Sequence, residues 1–247
     1  MSPQHQPVRP LQAGNDTITP PFDTITRRDI VAAVGEYAPL SLQTLLRRAR
    51  PVYHAPQEVL YHQGGHGGTV YFITDGLLKL VSHLANGRAR IVRLHRNGSV
   101  LGLNGQSCAL NEHTAVAVTP VSALRLSLSA VKRLRNMDPS AYVTLVEHWH
   151  DYLRDADIWI TQFSTGPIRG RVARLLAFLS DIAPGNDTSQ VQLLTSEEMG
   201  CILGVTAESV SRTIAEFKRQ HILDHCAGQS SETYTADGER LHLIAQE

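Results

Sequence analysis

Residues 193–223, LLTSEEMGCILGVTAESVSRTIAEFKRQHIL, contain the most specific structural pattern in the sequence. Thr195 followed three residues later by Glu198 is a capping box, which predicts that a helix begins here, and Gly204 predicts where it ends. Thr206 is the N-cap residue expected for a second helix that follows at once. Two short helices joined by a glycine-containing turn form a helix-turn-helix.

The second helix of this motif has an apolar face and a polar face. Helical spacing places Val210, Ile214 and Phe217 inward, and Gly200 in the first helix is small enough for a close crossing of the two helices. Helical hairpins that bind no DNA share this spacing, so the pattern alone leaves DNA binding open. If the motif binds DNA, the candidate contacts are the cap and the outer face: Thr206, Ala207, Glu208, Ser209, Ser211, Arg212 and Lys218.

Length and composition place the motif in a globular protein of two domains. The chain has 247 residues, of which 42% are hydrophobic and 19% charged, enough apolar surface to bury a core. The proline-rich N-terminus has no apolar export segment and no later run suits a membrane span, so we expect a soluble cytoplasmic protein. Cys108, Cys201 and Cys226 are far apart and form no CxxC, which argues against a disulfide framework or a zinc ribbon.

Charge is balanced overall but not between the two halves of the chain. Residues 1–165 hold 16 Lys and Arg against 12 Asp and Glu, a net charge of +4, and residues 166–247 hold 7 against 11, a net charge of −4. A generally basic surface is therefore absent. If the protein binds nucleic acid, the phosphate contacts must come from a local patch and from two chains together.

The N-terminal half changes from helical to strand-like patterning. Residues 24–50 show helical spacing that is broken near Pro39. From Val52 to Ser127, short β-branched and aromatic runs are separated by glycines, and Asn86-Gly87 predicts a hairpin with a type I′ turn. About seven short strands with regular turn signals favour an antiparallel barrel or jelly roll.

A heptad-like stripe begins after Pro139. It alternates in steps of three and four residues and includes both tryptophans, with Val146, Leu153 and Ile160 on its flank. We interpret this stripe as a dimer contact; packing against the chain's own barrel is the alternative. The predicted interface residues are Tyr142, Leu145, Trp149, Tyr152, Ala156, Trp159 and Phe163. A further helix is predicted from Pro167 to Ile182.

Together these segments resemble the Crp/Fnr family of bacterial transcription regulators. The resemblance covers roughly residues 30–245 and includes the barrel segments EVLYHQGG and YFITDGLLKLV, the helix GPIRGRVARLLAFL and, most specifically, the helix-turn-helix. Residues 1–22 are themselves predicted to form a flexible tail. The resemblance implies an α+β fold for the rest: an antiparallel jelly-roll sensor domain of the cyclic-nucleotide-binding type (23–137), a dimerisation helix (138–165) and a winged helix-turn-helix domain (166–247). It also implies a homodimer that binds double-stranded DNA, with RNA polymerase as a partner.

The effector positions depart from the family pattern. Members that bind cyclic nucleotides carry Gly-Glu-Leu and Arg-Ser/Thr-Ala, whereas the matching residues here are Gly102-Leu103-Asn104 and His113-Thr114-Ala115. Leu103 cannot accept a hydrogen bond from a ribose hydroxyl, and a neutral His113 gives no charge-assisted phosphate contact. We therefore expect no cyclic AMP binding. The candidate effector pocket is Gly102, Leu103, Asn104, Cys108, His113 and Thr114.

The sequence also bears on two other cofactors, an iron–sulfur cluster and haem. Residues 1–50 contain no cysteine, which excludes the N-terminal iron–sulfur cluster of the oxygen-responsive branch. Haem stays open as an alternative, because some relatives bind it through the barrel, and the available ligands are His62, His66, His83, His95 and His113. Most of the 12 histidines lie in strands or turns, as solvated or hydrogen-bonded imidazoles do, so we expect no resident cofactor. Cys108 is a redox sensor or, as we favour, a buried inert thiol.

The competing class of function is a metal-dependent barrel enzyme of the cupin type. Cupins need His-x-His and a carboxylate inside the barrel, and here the single His-x-His is His148-Trp149-His150, in the predicted dimer helix. The sequence has no nucleophile elbow, P-loop or paired-acid motif. These absences favour a regulator over an enzyme.

The resemblance also bears on the operator. Glu208, Ser211 and Arg212 match the Glu-x-x-Ser-Arg pattern of the oxygen-responsive branch, which implies an inverted repeat of TTGAT-like half-sites. A carboxylate can accept from a cytosine amine, a guanidinium can bind guanine through two hydrogen bonds, and the small Ser211 and Ala207 leave room for a thymine methyl. The structural alternative is that Glu208 and Arg212, four residues apart, form only a surface ion pair.

Overall fold

The computed structural model describes residues 25–103, 110–182, 190–226 and 233–247, and the backbone alone within 146–155. The predicted tail, 1–22, lies outside these residues. Two short helices open the described chain, α1 (Arg27–Val34) and α2 (Leu40–Leu46). The predicted break near Pro39 is confirmed, since Pro39 is the N-cap of α2.

Two antiparallel four-stranded sheets follow and form the jelly roll. The strands are β1 (Arg50–His54), β2 (Val59–Tyr61), β3 (Thr69–Asp75), β4 (Leu78–His83), β5 (Ala89–His95), β6 (Val100–Leu101), β7 (Thr114–Ala117) and β8 (Val121–Ser127). One sheet has the order β1-β8-β3-β6 and the other β2-β7-β4-β5. Ile73, Leu78 and Ala115 belong to the apolar core between the sheets. A second core lies between β3, β8 and the helices around them.

The β4–β5 hairpin is confirmed, but its predicted turn type is wrong. Gly87 has φ 78°, whereas Asn86 has no positive φ, which a type I′ turn would require. The Gly87 amide donates to the Leu84 carbonyl at 3.0 Å, and the Arg88 amide donates to Asn86 Oδ1 at 3.0 Å. The connection is therefore a longer loop with a single left-handed glycine, stabilised by the asparagine side chain.

Three helices continue the chain: α3 (Leu128–Met137), α4 (Pro139–Phe163) and α5 (Ile168–Asp181). The strand pattern does not predict α3, which begins at once after β8 because the Ser127 side chain accepts from the Ala130 amide. In α4 the side chain of its N-cap, Asp138, accepts from the Ala141 amide. Within the described residues, no helix combines the length and the apolar character needed to cross a bilayer.

The predicted dimer stripe on α4 is wrong for three of its residues. Leu145, Trp159 and Phe163 are 0%, 8% and 0% exposed in the single chain, so they pack against the protein's own core. Leu145 lies in the core beneath α1 to α3, and Trp159 Nε1 donates to the Ile91 carbonyl of β5 at 3.1 Å. A period of 3.5 residues shows which helix face is apolar but not what covers it.

The remaining predicted interface residues are not contradicted. Tyr142 and Ala156 are partly exposed, and the side chains of Trp149 and Tyr152 lie outside the described residues. Val143 and Ile160, on the neighbouring strip of α4, are 52% and 66% exposed. These two exposed apolar residues of α4 thus follow Tyr142 and Trp159 of the predicted stripe by one position.

The C-terminal part is a winged helix-turn-helix. Its elements are β9 (Gln190–Gln192), α6 (Ser196–Leu203), α7 (Ala207–Arg219), β10 (Leu223–His225), β11 (Thr233–Ala236) and α8 (Gly238–Ala245). The strands form one antiparallel sheet in the order β10-β11-β9. Val172, Leu176 and Phe217 belong to a core that is continuous with Ile91 and Leu94 of the barrel.

Candidate nucleic-acid interface

The sequence fixes both ends of α6, the first helix of the helix-turn-helix. Thr195 Oγ1 accepts from the Glu198 amide at 3.1 Å, and Glu198 Oε2 accepts from the Thr195 amide at 3.0 Å, so the predicted capping box is confirmed. Gly204 ends the helix with φ 69°, and its amide donates to the Gly200 carbonyl at 2.8 Å. A Cβ on Gly200 would lie 2.8 Å from the Val205 carbonyl oxygen, which explains the glycine at the crossing.

The second helix, α7, presents the predicted faces. Thr206 is the N-cap, and its Oγ1 accepts from the Ser209 amide at 3.3 Å. Val210, Ile214 and Phe217 are buried, as the spacing predicts. The packing of this apolar face holds the opposite face of α7 toward solvent.

The candidate DNA contacts lie together on that outer face and at the cap. Glu208, Ser211, Arg212 and Lys218 are exposed, whereas Ala207 and Ser209 are half-buried. Thr206 and Ser209 hydroxyls lie 2.9 Å apart, so these two residues bond to each other at the helix start. Arg212 Nη2 donates to Glu208 Oε1 at 2.7 Å, which shows that the surface ion pair expected as the alternative does form.

The wing adds a residue that sequence reasoning missed. Lys218 Nζ donates to Tyr234 Oη at 2.7 Å and lies 4.2 Å from the centre of the tyrosine ring. The His225 ring packs edge-on to Tyr234, with the ring centres 5.4 Å apart. A groove of about 290 Å³ runs between Lys218, Tyr234 and the start of α6 at Thr195. The aromatic residue in the strand after the helix-turn-helix was the available signal.

Residues of the barrel also contact the motif. Lys79 Nζ of β4 lies 2.6 Å from Glu198 Oε1 in α6, and both residues are 9% exposed. Burial alone would raise the pKa of Glu198, but hydrogen bonds from Lys79 and Thr195 together with the lysine charge hold that pKa below its ordinary value. Lys79 stands in the apolar run LLKLV, and a lysine at a buried strand position was the signal that it has a partner.

The candidate effector pocket is only partly assembled as predicted. Leu103 does not belong to it: the side chain is buried with Val100 and the N-terminal helices, outside the core between the sheets. The cause is the apolar side chain together with the turn at Gly102, where φ is 85° and a Cβ would overlap the Thr69 carbonyl. Asn104 and Cys108 lie outside the described residues.

Besides Gly102, the pocket residues that the structure describes are Thr114 and His113, and both carry polar side chains. Thr114 is buried, and its Oγ1 accepts from the Gln63 amide at 3.0 Å. Burial lowers the pKa of His113, the nearby Glu112 opposes this and Arg93 reinforces it. Burial, followed by the charge of Arg93 and by repulsion from His113 when that imidazole is protonated, lowers the pKa of His95 to about 3. The predicted neutral imidazole at position 113 therefore agrees with its surroundings.

The structure describes the two positions, 103 and 113, at which the sequence lacks the charged residues of the family's cyclic-nucleotide pattern. The positions that would supply a carboxylate and a guanidinium supply a leucine turned into another core and an uncharged imidazole. The described residues also contain no cluster of three or more His, Cys, Asp or Glu side chains arranged to hold a metal ion.

Comparison with known families gives two matches along the chain. The Cyclic nucleotide-binding domain family matches residues 51–138, and the Crp-like helix-turn-helix domain family matches residues 170–242.

Comparison with individual proteins extends over most of the chain. It is 25% identical over 207 residues to the transcriptional activator protein anr of Pseudomonas aeruginosa, covering 83% of this chain and 80% of that protein. It is 26% identical over 171 residues to the transcriptional regulator LdrP of Thermus thermophilus, covering 68% of this chain and 85% of that protein. The structure of FixK2 from Bradyrhizobium japonicum has the same fold, with a TM-score of 0.69 and 22% identity over 79% of this chain and 96% of that one.

Proposed function

Since this chain belongs to the Crp/Fnr family of transcription regulators, we propose that it binds, as a homodimer, an inverted-repeat operator with TTGAT-like half-sites. The observation that carries the proposal is the outer face of α7, where Glu208, Ser211 and Arg212 lie exposed beside a rigidly capped turn. A helix-turn-helix places the N-terminal residues of its second helix against base edges in the major groove.

The chemistry of this face suits the proposed half-site. Arg212 is the candidate for bidentate contact with guanine, Glu208 accepts from a cytosine amine, and Ser211 with Ala207 leaves room for a thymine methyl. In the free protein Arg212 and Glu208 are bonded to each other. An exposed i,i+4 ion pair stabilises a helix by about 0.3–0.5 kcal/mol, whereas a bidentate base contact contributes about 1–3 kcal/mol to the choice of base. We therefore expect Arg212 to leave Glu208 for the base when DNA binds.

The proposed dimer contact uses the outward face of α4. Val143 and Ile160 are exposed apolar residues at opposite ends of this helix, and Tyr142 and Ala156 are partly exposed beside them. Covering such a strip with a second copy removes apolar surface from water. Two helix-turn-helix units related by the dimer axis read half-sites about one helical turn apart, roughly 34–36 Å.

For the barrel we propose a signal other than cyclic AMP. The support is the position of Leu103, which is buried in the core beneath the N-terminal helices, and the lowered pKa of His113. We assign no resident cofactor, and an absorption spectrum of protein purified without oxygen tests the haem alternative. The same proposal places the regulator in the cytoplasm, with RNA polymerase as its partner at promoters.

A gel-shift experiment paired with metal analysis tests the DNA-binding function. We expect retardation of a duplex with two TTGAT-like half-sites, weaker retardation when one half-site is scrambled, and no stoichiometric metal. Stoichiometric iron, manganese or zinc together with no retardation of any duplex would favour the cupin-type enzyme instead.

A further inference from the structure

The first helix of the DNA-binding motif is held at its N-terminal end by the barrel. Lys79 of β4 and Glu198 of α6 form an ion pair at 2.6 Å, in which both residues are buried. Gln57, in the loop before β2, completes the cluster: its Oε1 accepts from Lys79 Nζ at 3.2 Å and its Nε2 lies 3.5 Å from Glu198 Oε1. Two elements of the barrel thus bond to one carboxylate of α6.

The barrel also holds the other end of α6. Arg90 of β5 donates from Nη2 to the Ile202 carbonyl at 3.2 Å and lies against Gly204, where a Cβ would overlap its guanidinium. Arg171 of α5 donates from Nη1 to the Leu203 carbonyl at 2.9 Å. Cationic donors on the last carbonyls of a helix satisfy groups that have no partner within the helix and complement its dipole.

A buried ion pair is stable only while both partners stay together. Removing Lys79 alone leaves the Glu198 carboxylate buried without its counter-charge, which is strongly unfavourable. Movement of the whole of α6 away from the barrel returns both charges to water, where each is solvated. The contact therefore favours two arrangements, docked and released, over any intermediate position.

The contacts between the barrel and α6 restrict the start of α7, which is the part of the motif that must reach DNA. Arg90 covers the turn at Gly204, three residues before Ala207, whereas a bound helix-turn-helix lays its first helix across the phosphate backbone and inserts the start of its second helix. We propose that Lys79 and Arg90 of the barrel form a latch on α6 that restrains DNA binding until α6 is released. This inference rests on DNA binding as the function of α7.

The latch connects directly to the candidate effector pocket. In the ladder between β4 and β7, Lys79 pairs with Val116 and Val81 pairs with Thr114. The backbone amide of Gln57 also donates to the Ala117 carbonyl of β7 at 2.8 Å. A ligand that shifts β7 at Thr114 moves the strand carrying Lys79 and the loop carrying Gln57 together, so the signal passes through one hydrogen-bonded ladder.

Three substitutions test the latch, and each removes one contact. Glu198→Gln removes the charge but keeps the capping box, because glutamine serves at that position as glutamate does. Lys79→Met removes the buried ammonium, and Arg90→Ala frees the turn at Gly204. The matched control is Arg88→Ala, which removes a positive charge from the same hairpin at an exposed position. Circular dichroism melting identifies the variants that fold.

The measurement is fluorescence anisotropy of a labelled duplex with two TTGAT-like half-sites. We expect each folded latch variant to bind at least about fivefold more tightly than wild type, the usual lower range of coupling between sites. The double variant of Lys79 and Glu198 should gain less than the product of the single gains, because both residues act through one contact. Arg88→Ala should not gain affinity.

The outcomes separate the latch from the proposed function. Unchanged or weaker binding by the folded variants, with wild type binding the operator, overturns the latch and leaves DNA binding standing. Failure of wild type and all variants to bind any duplex overturns both proposals. If Lys79→Met does not fold, Arg90→Ala decides, because it leaves both partners of the buried Lys79–Glu198 pair in place.

Discussion

Arg212 Nη2 lies 2.7 Å from Glu208 Oε1, one helical turn away on the exposed face of α7. The two side chains that we assign to base recognition therefore begin as partners of each other. Each must turn from this pair toward a base edge when DNA enters. Because the ion pair is exposed and contributes little to folding stability, breaking it to free both side chains requires little free energy.

Replacing Arg212 by alanine should change base selectivity rather than stability. We expect affinity for the best operator to fall by about 1–3 kcal/mol and discrimination to relax at one base pair of the half-site, because one bidentate contact is lost. Affinities for a panel of single-base operator variants check this. The comparison variant is Arg219→Ala, at an exposed position in the last turn of α7. Equal losses on all operators would mean that Arg212 contacts only phosphate.

Cyclic AMP at millimolar concentration should leave the protein unchanged. A ligand that binds only the folded state raises the melting temperature by mass action, and the residues at 103 and 113 offer neither the carboxylate nor the cation that the nucleotide needs. Differential scanning fluorimetry and operator affinity, each with and without nucleotide, provide the measurement. A shift of several degrees or a change in affinity would refute the assignment.

Replacing Ile160 by aspartate should produce folded monomers that bind the operator weakly. The side chain is 66% exposed in the single chain, so a charge there disrupts a dimer contact without entering the core. Sedimentation velocity reports the change. Leu243→Asp is the matched control, because this residue is also apolar and 66% exposed but belongs to α8 and not to α4. An unperturbed dimer would exclude this face.

Replacing Leu145 by aspartate should instead unfold the protein. Leu145 is fully buried within the chain, and a charge there should lower the free energy of unfolding by at least about 3 kcal/mol. Urea titration measures the effect. Cooperative unfolding at the wild-type urea concentration would show that this part of α4 does not pack on its own chain.

Stability should fall with acid because of His95. Its pKa is about 3 in the folded protein and near 6.5 when unfolded, so below pH 6.5 the unfolded chain binds the extra proton. The stabilisation is fully present above that pH and is lost as the pH falls toward 3. Between pH 7 and 5 this group should cost about 2 kcal/mol.

Urea unfolding at the two pH values tests the contribution of His95. His95→Gln should remove about 2 kcal/mol of the pH dependence, whereas His83→Gln, at an exposed position, should leave it as in wild type. An equal pH dependence in wild type and His95→Gln would contradict the buried neutral imidazole.

The helix-turn-helix was predictable because the residues that begin and end its helices act on neighbouring parts of the chain. Thr195, Glu198, Gly204 and Thr206 act on backbone groups within a few residues, and the alternation of the barrel strands reports a buried and a less buried face in the same way. The family resemblance then supplied the order of the two domains. Local rules therefore predicted the helices of the motif and the outward-facing side of α7.

The errors arose where the answer depends on distant residues. Helical spacing marked Trp159 as apolar but could not show that β5 of the same chain, and not a second copy, covers it. Alignment with the family placed Leu103 at the pocket, whereas an apolar side chain there packs beneath the N-terminal helices. The pair of Lys79 and Glu198 joins residues 119 positions apart, which no local pattern reports.

Selection of bound duplexes from a random DNA pool shows which sequence this protein recognises and whether two copies of α7 bind it. If a dimer presents two copies of α7, the enriched sequences should be inverted repeats of TTGAT-like half-sites, with centres about 10 base pairs apart. Repeating the selection with Arg212→Ala should relax one position in both half-sites. Enrichment of asymmetric sequences, or of none, from the wild-type selection would contradict recognition of an inverted repeat by a homodimer.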